Sequence, residues 1–95
     1  MKNKIEYIIR EEICFVIDNL VEKFASEKVR IKFEKDVYSN VLGNIIKKYP
    51  QYHLSITRKI VYKVLKSIEP LKEDPDKPRE FITYKTKWKE FRKKF

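Results

Sequence analysis

A mainly α-helical domain with a small β-hairpin is the fold class this sequence predicts, and three observations predict it. Four stretches place apolar residues at the 3.6-residue spacing of a helix. Two short stretches alternate with a period of two, as half-buried strands do. The chain has 95 residues, enough for one core and one domain, 1–95. A hydrophobic share of 42% with six Tyr, six Phe and one Trp argues against a disordered basic tail, which would lack the apolar surface to offset chain entropy.

The elements follow in order. Ile5, Ile9, Ile13, Val16, Ile17, Leu20 and Phe24 share one helical face, so residues 4–26 read as a long amphipathic helix. Ile8 and Phe15 fall on its charged side, either as isolated apolar residues or as a dimer seam. Val29, Ile31 and Phe33 alternate with Lys28, Arg30 and Lys32, which predicts a short strand. Residues 34–49 return to helical spacing, with Asp36 near the N-terminal end. Gly43 weakens that helix and reads as a place where another helix packs closely. Pro50 ends it, because the residue before a proline is pushed out of the α region.

A second basic segment follows the turn at 50–54. Ser55 is the predicted N-cap of a helix over 55–69 with Pro70 as its stop. Its apolar side is predicted to hold Ile56, Ile60, Val61, Val64, Leu65 and Ile68. Its wet side holds Ser55, Arg58, Lys59, Tyr62, Lys63 and Lys66. Residues 71–80 are rich in proline and charge and read as an exposed loop. Ile82, Tyr84 and Thr86 alternate as a strand would, and Trp88, Phe91 and Phe95 recur as on a short basic helix over 87–95.

Charge says more than composition about function. The net charge is +9, but residues 1–27 hold four basic and six acidic residues (−2), while 28–95 hold nineteen and eight (+11). From Lys47 to Ile68 there are six basic residues and no acidic one. A purely cationic helix face with a tyrosine in it points to a polyanion. Arg58, Ser55 and Tyr62 are the candidates for base edges, and Lys59, Lys63 and Lys66 for phosphates. Tyr62 has a second reading, half-buried beside Tyr52 or Tyr49.

Enzymatic readings find little. The lone Cys14 with only His53 beside it makes no zinc set. Cys14 reads as a half-buried helix residue, with an intersubunit bridge as the other option. Glu73, Asp74 and Asp76 lack the spaced ligands and glycine of a calcium loop, and Gly43, the only glycine, makes no phosphate-cradling loop. The expectation is a binder without cofactor, catalytic residue or metal. No apolar run approaches the ~20 residues of a membrane span and no secretory signal opens the chain, so a cytoplasmic, nucleoid-associated location is expected.

The run Ser55-Ile56-Thr57-Arg58-Lys59-Ile60-Val61-Tyr62-Lys63-Val64-Leu65-Lys66-Ser67-Ile68-Glu69 resembles the recognition helix of winged helix–turn–helix proteins. The order helix, strand, helix, turn, basic helix, strand, charged loop, strand is similar to their layout over about residues 30–86. In length and in its added terminal helices the chain is also similar to the PadR-like branch, and to small proteins that coat centromere DNA in archaeal plasmid partition. The resemblance implies a recognition helix in the major groove and a wing at Leu71–Arg79 with Lys72, Lys77 and Arg79 on phosphates. It implies a homodimeric double-stranded DNA-binding protein, a transcriptional regulator or partition factor, within a larger nucleoprotein complex. Ile8, Phe15, Trp88, Phe91 and Phe95 are the candidate dimer contacts. Two other classes remain open: an RNA-binding protein using exposed Tyr49, Tyr52, Tyr84 and Trp88, and an interaction module whose basic face inhibits a nucleic-acid-handling machine.

Overall fold

The computed structural model describes residues 3–95. Its first element is helix α1 (Asn3–Lys23). Ile9, Ile13, Val16, Ile17 and Val21 of this helix are buried in one core, as their spacing requires. The helix ends three residues short of the expected boundary. Phe24 therefore leaves the core face and is exposed, and Ser26 Oγ donates to the Lys28 carbonyl as the chain turns into β1. Ile8, placed by the helical wheel on the wet side, is half-buried and packs against the core.

β1 (Lys28–Lys32) buries Val29 and Ile31 and exposes its three cations. The predicted helix over 34–49 is two pieces. A π-helical turn, Phe33–Tyr38, buries Phe33 and Val37 and leads into α2 (Ser39–Lys48). Where the wider turn meets α2, the Asn40 side-chain amide donates to the carbonyls of Lys35 and Asp36. Gly43 is exposed on α2, and a Cβ there would meet nothing within 4 Å. Close helix packing is therefore not the reason for this glycine.

α3 (Leu54–Lys66) starts one residue earlier and stops three earlier than predicted. Pro70 and a tightened last turn account for the stop: Ser67 N–H donates to Val64 O and Ile68 N–H to Leu65 O, three residues back, and the Ser67 hydroxyl also donates to Val64 O. The segment expected as a loop is mostly paired strand. β2 (Leu71–Asp74) and β3 (Lys77–Tyr84) form an antiparallel hairpin, and the sheet order is β1-β3-β2. Only Pro75 and Asp76 connect the two strands. Among the described residues none has positive φ, so the reversal is not a primed turn that would need Gly or Asn. A register shift at Glu73/Asp74 shapes it, with Asp76 N–H donating to Asp74 Oδ1 at 3.0 Å. Asp74 is buried, and its other oxygen accepts from Arg30 at 2.6 Å, tying β1 to the hairpin.

β3 gives way at Tyr84 to α4 (Lys85–Lys94), so Thr86 is helical rather than part of the strand. Glu27 caps α4 from outside, accepting from Thr86 N–H and from its hydroxyl, both at 2.9 Å. Among the described residues the fold is thus four α-helices, one π-helical turn and a three-stranded antiparallel sheet around one core, with principal extents of 38 × 28 × 21 Å. Among the described residues no helix is long and apolar enough to cross a membrane.

Candidate nucleic-acid interface

α3 owes its placement to one apolar side. Thr57, Val61, Val64 and Leu65 are buried, facing α1 and α2. Thr57 takes the core position expected for Ile56, which is 53% exposed. The swap follows from the first turn: Thr57 Oγ1 donates to the His53 carbonyl at 2.9 Å, which satisfies the hydroxyl of this buried side chain. The N-cap is His53, not Ser55. Its Nδ1 accepts from the Ser55 N–H at 3.3 Å and lies 2.8 Å from the Ser55 hydroxyl. That hydroxyl is occupied in closing the helix end, so Ser55 is a capping partner before it is a base contact.

The opposite side of α3 carries Arg58, Lys59, Tyr62, Lys63 and Lys66, all exposed. Among the described residues none of these four cations is in an ion pair. Several carboxylates are engaged elsewhere. Glu12, buried on α1, accepts from Asn44 and from Lys48 on α2. Asp74 and Glu80 pair with Arg30, Asp18 with Arg92, and Glu22 with Lys89.

Tyr62 does not stand beside Tyr49 or Tyr52. Its ring meets Phe33 edge-on at 5.4 Å and Tyr38 at 6.4 Å, and Phe33 in turn packs on Phe81 of β3 at 5.0 Å. Tyr49 and Tyr52 pair with each other at 5.9 Å. The aromatic cluster links the middle of α3 to the sheet and holds Tyr62 with one side still open to solvent. Lys66 Nζ sits 4.6 Å from the Tyr62 ring centre, which fixes one cation over the aromatic surface.

The hairpin residues are not brought together as one cationic tip. Arg79 is ion-paired with Glu34 at the start of the π-helical turn. Lys72 is on β2 opposite Ile82, on the sheet face that also carries Arg30. Lys77 opens β3 and is exposed.

The expected dimer set divides as well. Trp88 is 0% exposed, and its Nε1–H donates to Asp18 at 2.8 Å, so it belongs to the core and offers no surface to a second copy or to a base. Phe91 and Phe95 are half-buried against the same core. Phe15 remains, 59% exposed, and Tyr7, two turns earlier on α1 and unremarked in the sequence, is 61% exposed. Cys14 is buried rather than half-buried, and desolvation pushes its thiol up to about 11. A buried neutral thiol does not suit an intersubunit bridge. No family model, curated protein or solved structure matches this chain.

Proposed function

We propose that this protein binds double-stranded DNA as a winged helix–turn–helix homodimer, acting as a transcriptional regulator or partition factor. The observation that carries the reading is the exposed face of α3, where Arg58, Lys59, Lys63 and Lys66 stand without carboxylate partners among the described residues. Such a face releases counterions on meeting phosphates, and an α-helix such as α3, about 10–12 Å in diameter with its side chains, fits a major groove about 12 Å wide. Support also comes from the order α1-β1-α2-α3-β2-β3 and the strand order β1-β3-β2, which agree with the layout of that family.

In this arrangement Arg58 near the helix start meets base edges, Lys59 and Lys63 hold phosphates, and Lys66 with Tyr62 forms a cationic aromatic surface along the backbone. The hairpin contributes chiefly through Lys77, because Glu34 already neutralises Arg79. Replacing Arg58 and Lys59 together with alanine should weaken duplex binding by about 1–3 kcal/mol with an unchanged circular dichroism spectrum. A folded double variant that binds duplex as tightly as the parent would dispose of the reading.

A further inference from the structure

Between the turn after α3 and helix α4 lies an open groove of about 1030 Å³. Four cations line it, Arg10, Lys72, Lys87 and Lys94, against two carboxylates, Glu69 and Glu90. Among the described residues Lys72, Lys87 and Lys94 form no ion pair, so the carboxylates leave the groove with a cationic surplus.

The same groove has an aromatic wall of Tyr84, Phe91 and Phe95. Phe91 and Phe95 lie 5.1 Å apart with planes tilted by 35°. The Arg10 guanidinium covers Phe95 at 5.2 Å, and Lys87 Nζ stands 5.1 Å from the Tyr84 ring centre. Lys87, Phe91 and Lys94 recur at i, i+4 and i+7, so one face of α4 presents cation, ring, cation.

The Arg10–Phe95 and Lys87–Tyr84 contacts pair cations with rings but leave the positive charge of the lining without an anion. A bare phosphate would use the lysines and leave the rings idle; an apolar ligand would meet the rings and leave the lysines without counter-charge. A ligand with a planar ring and an attached anion satisfies both, since base–aromatic stacking and lysine–phosphate contact are distinct sources of affinity that one ligand can combine. We propose that the groove binds a nucleoside phosphate, its base against the Tyr84, Phe91 and Phe95 wall and its phosphate held by Lys87 and Lys94. The site does not depend on the duplex contact of α3, with which it shares no residue. Its ligand chemistry is the same whether the nucleotide is free or one unit of a single strand.

The test is a titration of the full-length ¹⁵N-labelled protein with ADP and, separately, with decathymidylate, followed by amide chemical shifts. Saturable shifts at Lys87, Phe91 and Phe95 are expected. Lys87→Glu with Lys94→Glu should weaken binding by at least about tenfold, whereas Arg58→Ala with Lys59→Ala should leave it unchanged. Saturation by ADP assigns a free nucleotide, and saturation by decathymidylate alone assigns a strand. The proposal is overturned by the absence of saturable shifts with both probes, by shifts confined to α3, or by undiminished affinity in the folded charge-reversed variant. Inorganic pyrophosphate competing as well as ADP would equally overturn it, since the rings would then contribute nothing. Both lysines are exposed on α4, and the shift map of the unaltered protein stands on its own if the variant does not fold.

Discussion

Thr83 shows how one atom can be wrong for its surroundings. It is 0% exposed between Val29 and Leu71 in the sheet register, and among the described residues its Oγ1 has no hydrogen-bond partner. A buried hydroxyl without a partner costs about 1–3 kcal/mol of desolvation. Thr83→Val keeps the β-branched shape and removes that atom, so it should leave stability unchanged or raise it by about 1 kcal/mol. Denaturant unfolding midpoints check this; a marked loss would mean that the hydroxyl has found an acceptor. Asp74 is the contrasting case, a buried carboxylate with each oxygen used, one for the hairpin turn and one for Arg30.

The helices differ in how their ends and middles are secured. α2 contains Gly43 on its exposed side with open space where a Cβ would go. Gly43→Ala should therefore stabilise the protein by about 0.5–1 kcal/mol, through the lower backbone entropy of alanine in the unfolded chain. A lower melting temperature for this variant would show that the position serves something other than the helix. α4 relies on Glu27, whose carboxyl is held below its ordinary value of 4.5, first by the hydrogen bond from Thr86 N–H, then by the Thr86 hydroxyl, with Lys85 and Lys89 adding attraction. Because the folded value is depressed, the ionised cap contributes stability above pH 4.5 that is lost as pH falls through the folded value. The melting temperature of the parent should thus fall more steeply on acidification below that point than that of Glu27→Gln. Parallel curves would show that the ionised cap adds nothing.

At the scale of the whole molecule, charge is segregated. The acidic residues of α1 are partly answered by α4, through Asp18–Arg92 and Glu22–Lys89, while α3 keeps its cations free among the described residues. The side of α1 that carries Tyr7 and Phe15 is left open, and the proposed dimer would use it. A protomer 38 Å long can place two copies of α3 about one DNA turn apart, ~34 Å, across a two-fold axis. Light scattering should then report twice the chain mass of 11.6 kDa, and Phe15→Glu should give monomers with weaker, less cooperative duplex binding. A parent protein that stays monomeric at high micromolar concentration and still binds one half-site tightly would exclude this arrangement.

Local periodicity by itself determined α1, β1, the buried side of α3 from Ile60 to Leu65 and the concentration of positive charge on its other side. These were legible because burial on one face demands a 3.6 or a 2.0 repeat, and neither depends on knowing the neighbouring element. Tertiary structure alone decided the rest. The hairpin is held by pairing with β1 and by Arg30–Asp74 across 44 positions, so a segment with the composition of a loop became two strands. The cap on α4 comes from Glu27 across 59 positions, and Trp88 is internal because Asp18, 70 positions away, accepts from its indole. His53 displaced Ser55 as the α3 cap, and Thr57 displaced Ile56 from the core, because the first turn offered a carbonyl for the threonine hydroxyl. The long-range contacts have no period in the chain and exist only once distant side chains are brought within hydrogen-bonding distance, whereas the start of α3 was decided by short-range side-chain bonds that apolar periodicity does not encode.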